Sequence, residues 1–180
     1  GKQPDEYALR DIRRRLTWRE TQTWADAVAQ DLHEAGLRRG DRVAIMMPNL
    51  LQYQVALFGF IRAGLVVVNL NPLYTSHELH HPLNDCGARA IVIVANSVHE
   101  LAAVVTETPI EHVLVTEIGD LLGFPKRPLV NFVVRYIKRL VPSYDLPTAK
   151  PFSDALRQDS SAFVPPADLT GKDFSNPVSY

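Results

Sequence analysis

The 180 residues carry 19 basic and 20 acidic side chains, a net charge of −1, and 46% of them are apolar, enough chain to bury about 70% of its unfolded surface in one domain. Near-neutral charge removes the sequence-independent phosphate attraction that most nucleic-acid binders need, so nucleic acid is excluded as a general partner. A single cysteine, Cys86, excludes an intrachain disulfide and an all-cysteine zinc site, and suits a reducing, cytoplasmic compartment. No apolar run approaches the roughly 18 residues of a spanning helix, and the polar opening Gly-Lys-Gln-Pro-Asp-Glu has none of the parts of a secretion signal. A first residue of glycine rather than methionine suggests a natural beginning elsewhere.

From Leu16 to Glu117 helical and strand-like periods alternate, the pattern of a parallel α/β sheet. Thr17-Trp18-Arg19-Glu20 is a capping box, in which hydroxyl and carboxylate satisfy each other's end of the first turn. It predicts a helix from Trp18 to Gly36, with Trp24, Val28, Leu32 and Ala35 on its core face. Arg39-Gly40-Asp41 is a turn, and Arg42 to Met47 a short apolar strand ended by Pro48. Asn49, with Gln52 in the reciprocal position, is expected to cap a second helix that is apolar almost all round and therefore buried. After Gly64 come a β-branched strand, Leu65 to Leu70, and another capping box, Thr75 with Glu78, on a helix ending at Cys86-Gly87. Ala90 to Val94 is the next strand. Ser97 and Glu100 are expected to repeat the box before Leu101, and His112 to Thr116 closes the series.

Beyond Glu117 the composition changes, with eight of the thirteen prolines at or after Pro125 and no clear further strand–helix unit. This divides the chain into an α/β part, residues 1–120, and an irregular Pro-rich tail, residues 121–180. Within the tail, Pro128 to Val141 and a brief stretch around Ser153 to Gln158 are expected to be helical.

Four patterns are candidates for chemistry. His77-Glu78-Leu79-His80-His81 matches H-E-x-x-H, in which two imidazoles on one helix face hold zinc and the glutamate acts as base, with Glu100 as a conceivable third ligand. Pro82 argues against it, because a proline inside a helix removes an amide and costs about 3 kcal/mol, whereas the motif needs a helix that runs on rigidly. Phosphate loops are missing: Thr170-Gly171-Lys172 lacks the upstream glycine. No serine lies in G-x-S-x-G, and Cys86 beside Gly87 reads as a packing residue at a helix end. The reading therefore assigns no catalytic, cofactor-binding or metal-binding residue. Finally, no acid occurs between Leu121 and Tyr144, a stretch that holds Lys126, Arg127, Arg135, Lys138 and Arg139. Leu129, Val133, Tyr136, Ile137 and Leu140 share one helical face and Asn131, Arg135, Lys138 and Arg139 the other. This is either a core-docked helix with a solvated basic face or a helix resting on anionic lipid headgroups through those five cations.

The stretch from Leu16-Thr17-Trp18 through Gly40-Asp41-Arg42-Val43, Met47-Pro48-Asn49, Gly64 and Asn71-Pro72-Leu73-Tyr74-Thr75 resembles the front of the AMP-forming acyl-CoA synthetases, the adenylating-enzyme superfamily. Val130 to Pro142 is similar to a segment of the bacterial long-chain fatty acid–CoA ligases. The resemblance covers roughly residues 7 to 169. It implies part of the large N-terminal domain of an adenylating enzyme, and a reaction in which fatty acid and ATP give acyl-AMP and pyrophosphate before coenzyme A displaces AMP. ATP, magnesium and coenzyme A are thus implied for the full-length family, and none within this stretch, because the family's threonine- and glycine-rich phosphate loop, adenine segment, ribose-binding aspartate and lysine come later.

Pro166-Ala167-Asp168-Leu169 still resembles the approach to that loop, but Thr170 to Tyr180 does not continue it. The break suggests truncation, a frameshift or a gene remnant, hence an inactive N-terminal piece of a ligase. The alternatives are a non-catalytic membrane- or partner-binding module, cytoplasmic and peripheral on the inner membrane, and a small zinc hydrolase. Sheet edges left open by missing strands would favour self-association.

Overall fold

A computed structural model describes residues 7–10, 15–121, 126–132, 141–143, 145–161, 163–166 and 178–179. The chain opens with an antiparallel pair, β1 (Tyr7–Arg10) and β2 (Arg15–Thr17), which the reading from Leu16 onward did not anticipate. α1 (Trp18–Glu34) starts where predicted. The Thr17 backbone amide donates to Glu20 Oε2 at 2.9 Å, and the Glu20 amide donates to Thr17 Oγ1 at 3.2 Å. There follow β3 (Arg42–Met46), α2 (Leu51–Arg62), β4 (Val66–Asn69), α3 (Ser76–Cys86), β5 (Ala90–Val94), α4 (Val98–Ala102), β6 (His112–Thr116), α5 (Lys126–Phe132), β7 (Ala149–Pro151), α6 (Phe152–Ala155) and β8 (Val178–Ser179).

The six strands β7-β6-β5-β3-β4-β8 form one sheet in that order, every pair parallel. This is the α/β architecture the sequence predicts. β7 and α6 are a further strand–helix unit: α6 overlaps the brief helix expected around Ser153 to Gln158, while the Pro-rich composition concealed the strand before it. They are short, so they carry little periodicity, and β7 lies at the sheet edge, where Pro151 costs least.

Two apolar layers explain the near-continuous hydrophobic strands. Val43, Ile45, Val67, Val92 and Leu114 point to one face, against Val28 and Leu32 of α1, Val55 and Phe60 of α2 and Phe152 of α6. Their neighbours Ala44, Met46, Val68, Ile91, Ile93 and Val115 point to the other, against Leu79 and Leu83 of α3 and Val98 and Leu101 of α4. With both faces covered, alternation appears as a choice of layer rather than as wet against dry.

Three local expectations are corrected. Asn49 does not cap α2: the N-cap is Leu50, which makes no side-chain bond. Gln52 is buried and donates to the Glu117 carbonyl at 2.9 Å, so the first turn of this deeply buried helix is held from the loop after β6. Ser97 caps nothing either. Ala95–Ser97 form a 3₁₀ turn that leaves Ser97 at φ −105°, ψ −1°, without the extended backbone a cap needs. Its hydroxyl donates to the Pro72 carbonyl at 3.0 Å, and Glu100 Oε2 accepts from the Ser76 amide at 2.7 Å, so both serve the start of α3. Pro82, lastly, does not disrupt α3, which runs on to Cys86 with Leu79 and Leu83 buried on either side of it. Packing of that face offsets the lost amide bond.

α1 and α2 approach most closely at Gly59. A Cβ there would lie 2.9 Å from the Ala25 carbonyl oxygen and 3.0 Å from Val28 Cβ. At the amino ends of the strands, Asp41 Oδ2 accepts from the Arg38 amide at 2.8 Å and from Arg89 Nη1 at 2.7 Å, and Arg89 also grips Glu111. The Arg38 amide, and after it Arg89, hold the Asp41 carboxyl below its ordinary range.

Two predictions follow the packing and the charge. Gly59→Ala should destabilise the chain by about 1–3 kcal/mol in chemical denaturation, because backbone blocks the added methyl; Ala63→Gly, at the end of the same helix, serves as the propensity control. Because the Asp41 pKa is lowered on folding, its stabilisation is complete at neutral pH and lost as pH falls through the folded value. The stability gap between wild type and Asp41→Asn should therefore be about 1 kcal/mol at pH 7 and close towards zero below about pH 4; a gap independent of pH would contradict this.

Candidate functional site

β3 connects through α2 to β4 on one side, and β4 connects back through α3 to β5 on the other side of β3. The strand order therefore reverses between β3 and β5. In open parallel sheets the crevice outside the carboxyl ends at such a reversal is where ligands are taken up. Met47-Pro48-Asn49 leave the sheet here from β3, and Ala95-Asn96-Ser97 leave it from β5.

Beside the reversal, a cleft of about 400 Å³ opens between β3, β4 and the start of α2. Ile45, Met47 and Leu70 are its apolar lining, while Asn49, Tyr53 and Asn69 supply neutral polar groups. Tyr53 donates its hydroxyl proton to Asn69 Oδ1 at 3.0 Å, and Gln54 Nε2 donates to Asn49 Oδ1 at 3.3 Å. Among the described residues no charged side chain lines this cleft, and its polar groups suit a neutral or aromatic ligand. Close to the reversal, Asn96 Oδ1 is buried without a hydrogen-bond partner. None of these residues was expected as a site residue, although Asn49 was expected as a helix cap and Met47-Pro48-Asn49 carry part of the family resemblance. The available signal was positional, since Asn69 directly follows a run of β-branched residues and Asn96 follows another with only Ala95 between.

The predicted zinc pattern comes apart in three dimensions. Glu78 accepts from both the amide and the hydroxyl of Thr75, and the Thr75 amide first of all holds its carboxyl below the ordinary value, the reverse of what a general base needs. His80 pairs with Glu107 at 3.2 Å and His81 with Asp85 at 3.1 Å. Glu100 is bound to the Ser76 amide and lies 3.1 Å from His99. Among the described residues no group of three or more His, Cys, Asp or Glu could hold a metal ion. Burial pushes the Cys86 thiol up, as a packing role requires.

Of the five basic candidates, Lys126 and Arg127 fall within α5, while Arg135, Lys138 and Arg139 lie outside the described residues, as does Thr170-Gly171-Lys172. Asn131 Oδ1 accepts from the Gly119 amide at 2.8 Å and Asn131 Nδ2 donates to Asp120 Oδ1 at 3.2 Å, while Leu129 is 64% exposed.

The fold and this crevice define an open, parallel α/β protein with a cleft at the carboxyl edge of its sheet. Comparison with known proteins sharpens that class. Residues 1–164 match the family described as AMP-binding enzyme, and the chain belongs to that family. It is 55% identical over 153 residues to the long-chain-fatty-acid–CoA ligase of Escherichia coli O157:H7, covering 84% of this chain and 27% of that protein. It is 36% identical over 126 residues to the ligase of the same description from Bacillus subtilis, covering 70% and 22%. The chain thus spans about a quarter of the length of the curated relatives it matches. Among solved structures, the anthranilate CoA ligase AuaEII in complex with anthranoyl-AMP superposes with a TM-score of 0.72 at 19% identity, over 94% of this chain and 28% of that one, which bears on the fold. The long-chain-fatty-acid-CoA ligase FadD1 from Archaeoglobus fulgidus gives 0.55 at 27% identity over 63% and 22%. The architecture is therefore that of the N-terminal domain of adenylating enzymes.

Proposed function

We propose that this chain is the front of the acid-activating domain of a long-chain fatty acid–CoA ligase, supplying scaffold and crevice wall rather than the reacting groups. In the reaction it would serve, a fatty-acid carboxylate oxygen attacks the α-phosphorus of ATP and pyrophosphate leaves. The thiol of coenzyme A then attacks the acyl carbon and AMP departs with the bond electrons. The first step converts a poor electrophile into one with a good leaving group. The observation carrying this reading is the 55% identity over 84% of the chain to a ligase of that description, joined to a strand-order reversal of the kind at which open α/β sheets bind ligands.

The neutral cleft beside the reversal supports a binding role. Magnesium would screen the triphosphate charge; among the described residues no cluster of three or more His, Cys, Asp or Glu could hold a metal ion. Phosphate handling falls to residues that the family places further along. No described helix is long and apolar enough to cross a membrane, and we place the protein in the cytoplasm with peripheral contact at the inner membrane, where long-chain acids partition.

The test is a chimera in which this chain replaces the matching amino-terminal part of the E. coli O157:H7 ligase. The folded chimera should release pyrophosphate in a long-chain fatty-acid-dependent manner, and the 180-residue chain alone should not. A folded chimera that is silent with long-chain acids, or turnover by the chain alone, would contradict the reading.

A further inference from the structure

We propose that the outer edge of β4 is a pairing surface for a second copy of this chain, and that β8, the chain's own last strand, covers it. The proposal is independent of the ligase reading, since it concerns backbone at the rim of the sheet. That sheet ends in β7 at one side and in β4, backed by the two residues of β8, at the other. β7 is three residues long and carries Lys150 and Pro151, both exposed, a charge and a missing amide that deter a further strand. β4 has neither. Leu65-Val66-Val67-Val68-Asn69-Leu70 is uncharged, free of proline and glycine and rich in β-branched side chains, the composition of segments that pair with copies of themselves.

Backbone direction shows what this rim offers. The Val66 amide donates to the Asp41 carbonyl and the Leu70 amide to the Ile45 carbonyl, each at 2.9 Å, so the even-numbered positions of β4 face β3. Alternation along the ladder turns the amides and carbonyls of Val67 and Asn69 outward. β8 answers them along only half of β4. Its register pairs Val68 with Val178 and Asn69 with Ser179, and leaves Val66 and Val67 without an opposite residue on that side among those described. Val66, in the uncovered half, is also an exposed large hydrophobic residue.

A second copy is the occupant this edge selects. The same uncharged segment is presented by both partners, so a two-fold axis beside Val67 pairs β4 with β4 antiparallel, without opposed charges, and the contact closes at a dimer. β8 is the obstacle. It is a strand of two residues that ends one residue before the chain does, and it can leave without disturbing β3 or β5. The covered monomer and the uncovered dimer thus exchange one neighbour of β4 for another.

Val178→Pro in the full chain tests this. It removes the amide that β8 brings to β4, because Val68 turns its own groups to β3 and the pairing must use those of Val178. Analytical ultracentrifugation should find the wild type monomeric at micromolar concentration and the variant dimeric, its dissociation constant lower by about tenfold or more. Deleting Val178 to Tyr180 should do the same. Adding Val66→Lys to either variant, a charge of the kind β7 carries at Lys150, should restore the monomer. In the dimer the Val67 amide should exchange with solvent more slowly than in the wild type, which ties the contact to this edge. Folded variants that stay monomeric, a dimer that survives Val66→Lys, an unchanged Val67 amide, or a wild type as dimeric as its variants would each overturn the proposal.

Discussion

Ala90–Val94 is buried at all five positions, and a strand of that kind cannot rest in a sheet with one wet face. Covering both faces is the constraint from which the rest of the body follows. It requires helices on either side, hence crossover connections, hence parallel strands. Those crossovers in turn create the reversal between β3 and β5, because β4 is laid on one side of β3 and β5 on the other. The crevice is therefore a geometric consequence of how the apolar strands are shielded, not a separate addition to the fold.

The two shields are built differently. α1 and α2 meet backbone to backbone at Gly59, and the resulting layer holds the larger side chains Phe60, Leu32 and Phe152. α3 and α4 form a thinner cover whose ends are tied by side chains to backbone, Ser97 to Pro72 and Glu100 to Ser76. Those ties join the loop after β5, which borders the reversal, to the loop after β4 and the start of α3. Stability and site geometry therefore share residues at the carboxyl edge. At the opposite edge, Asp41, Arg89 and Glu111 join the starts of β3, β5 and β6.

Much of this was legible in the residues. Capping boxes at Thr17 and Thr75 signal correctly because both threonines have extended backbone and exposed or half-buried hydroxyls free to turn back. The similar patterns at Asn49 and Ser97 mislead because tertiary contacts claim their partners, Gln52 for Glu117 and Glu100 for Ser76. Sequence spacing registers which groups could meet locally, not which distant amide competes for them. Pro82 misleads for the converse reason, since a local penalty is outweighed by the packing of Leu79 and Leu83. The edge elements β1, β2 and β7 escape notice because three or four residues are too few to display a period. The cleft escapes because Tyr53 and Asn69 lie 16 residues apart and form a site only once α2 folds back beside β4.

If double-sided burial governs this molecule, it must also govern where the chain opens last. Native-state amide hydrogen exchange on the full chain measures that residue by residue. The account predicts that Val43–Ile45 of β3 and Ile91–Ile93 of β5 exchange only through global unfolding, while β1, β2 and β7 exchange through much smaller openings. Edge strands that outlast β3 and β5, or central amides that exchange as fast as the edges, would contradict it.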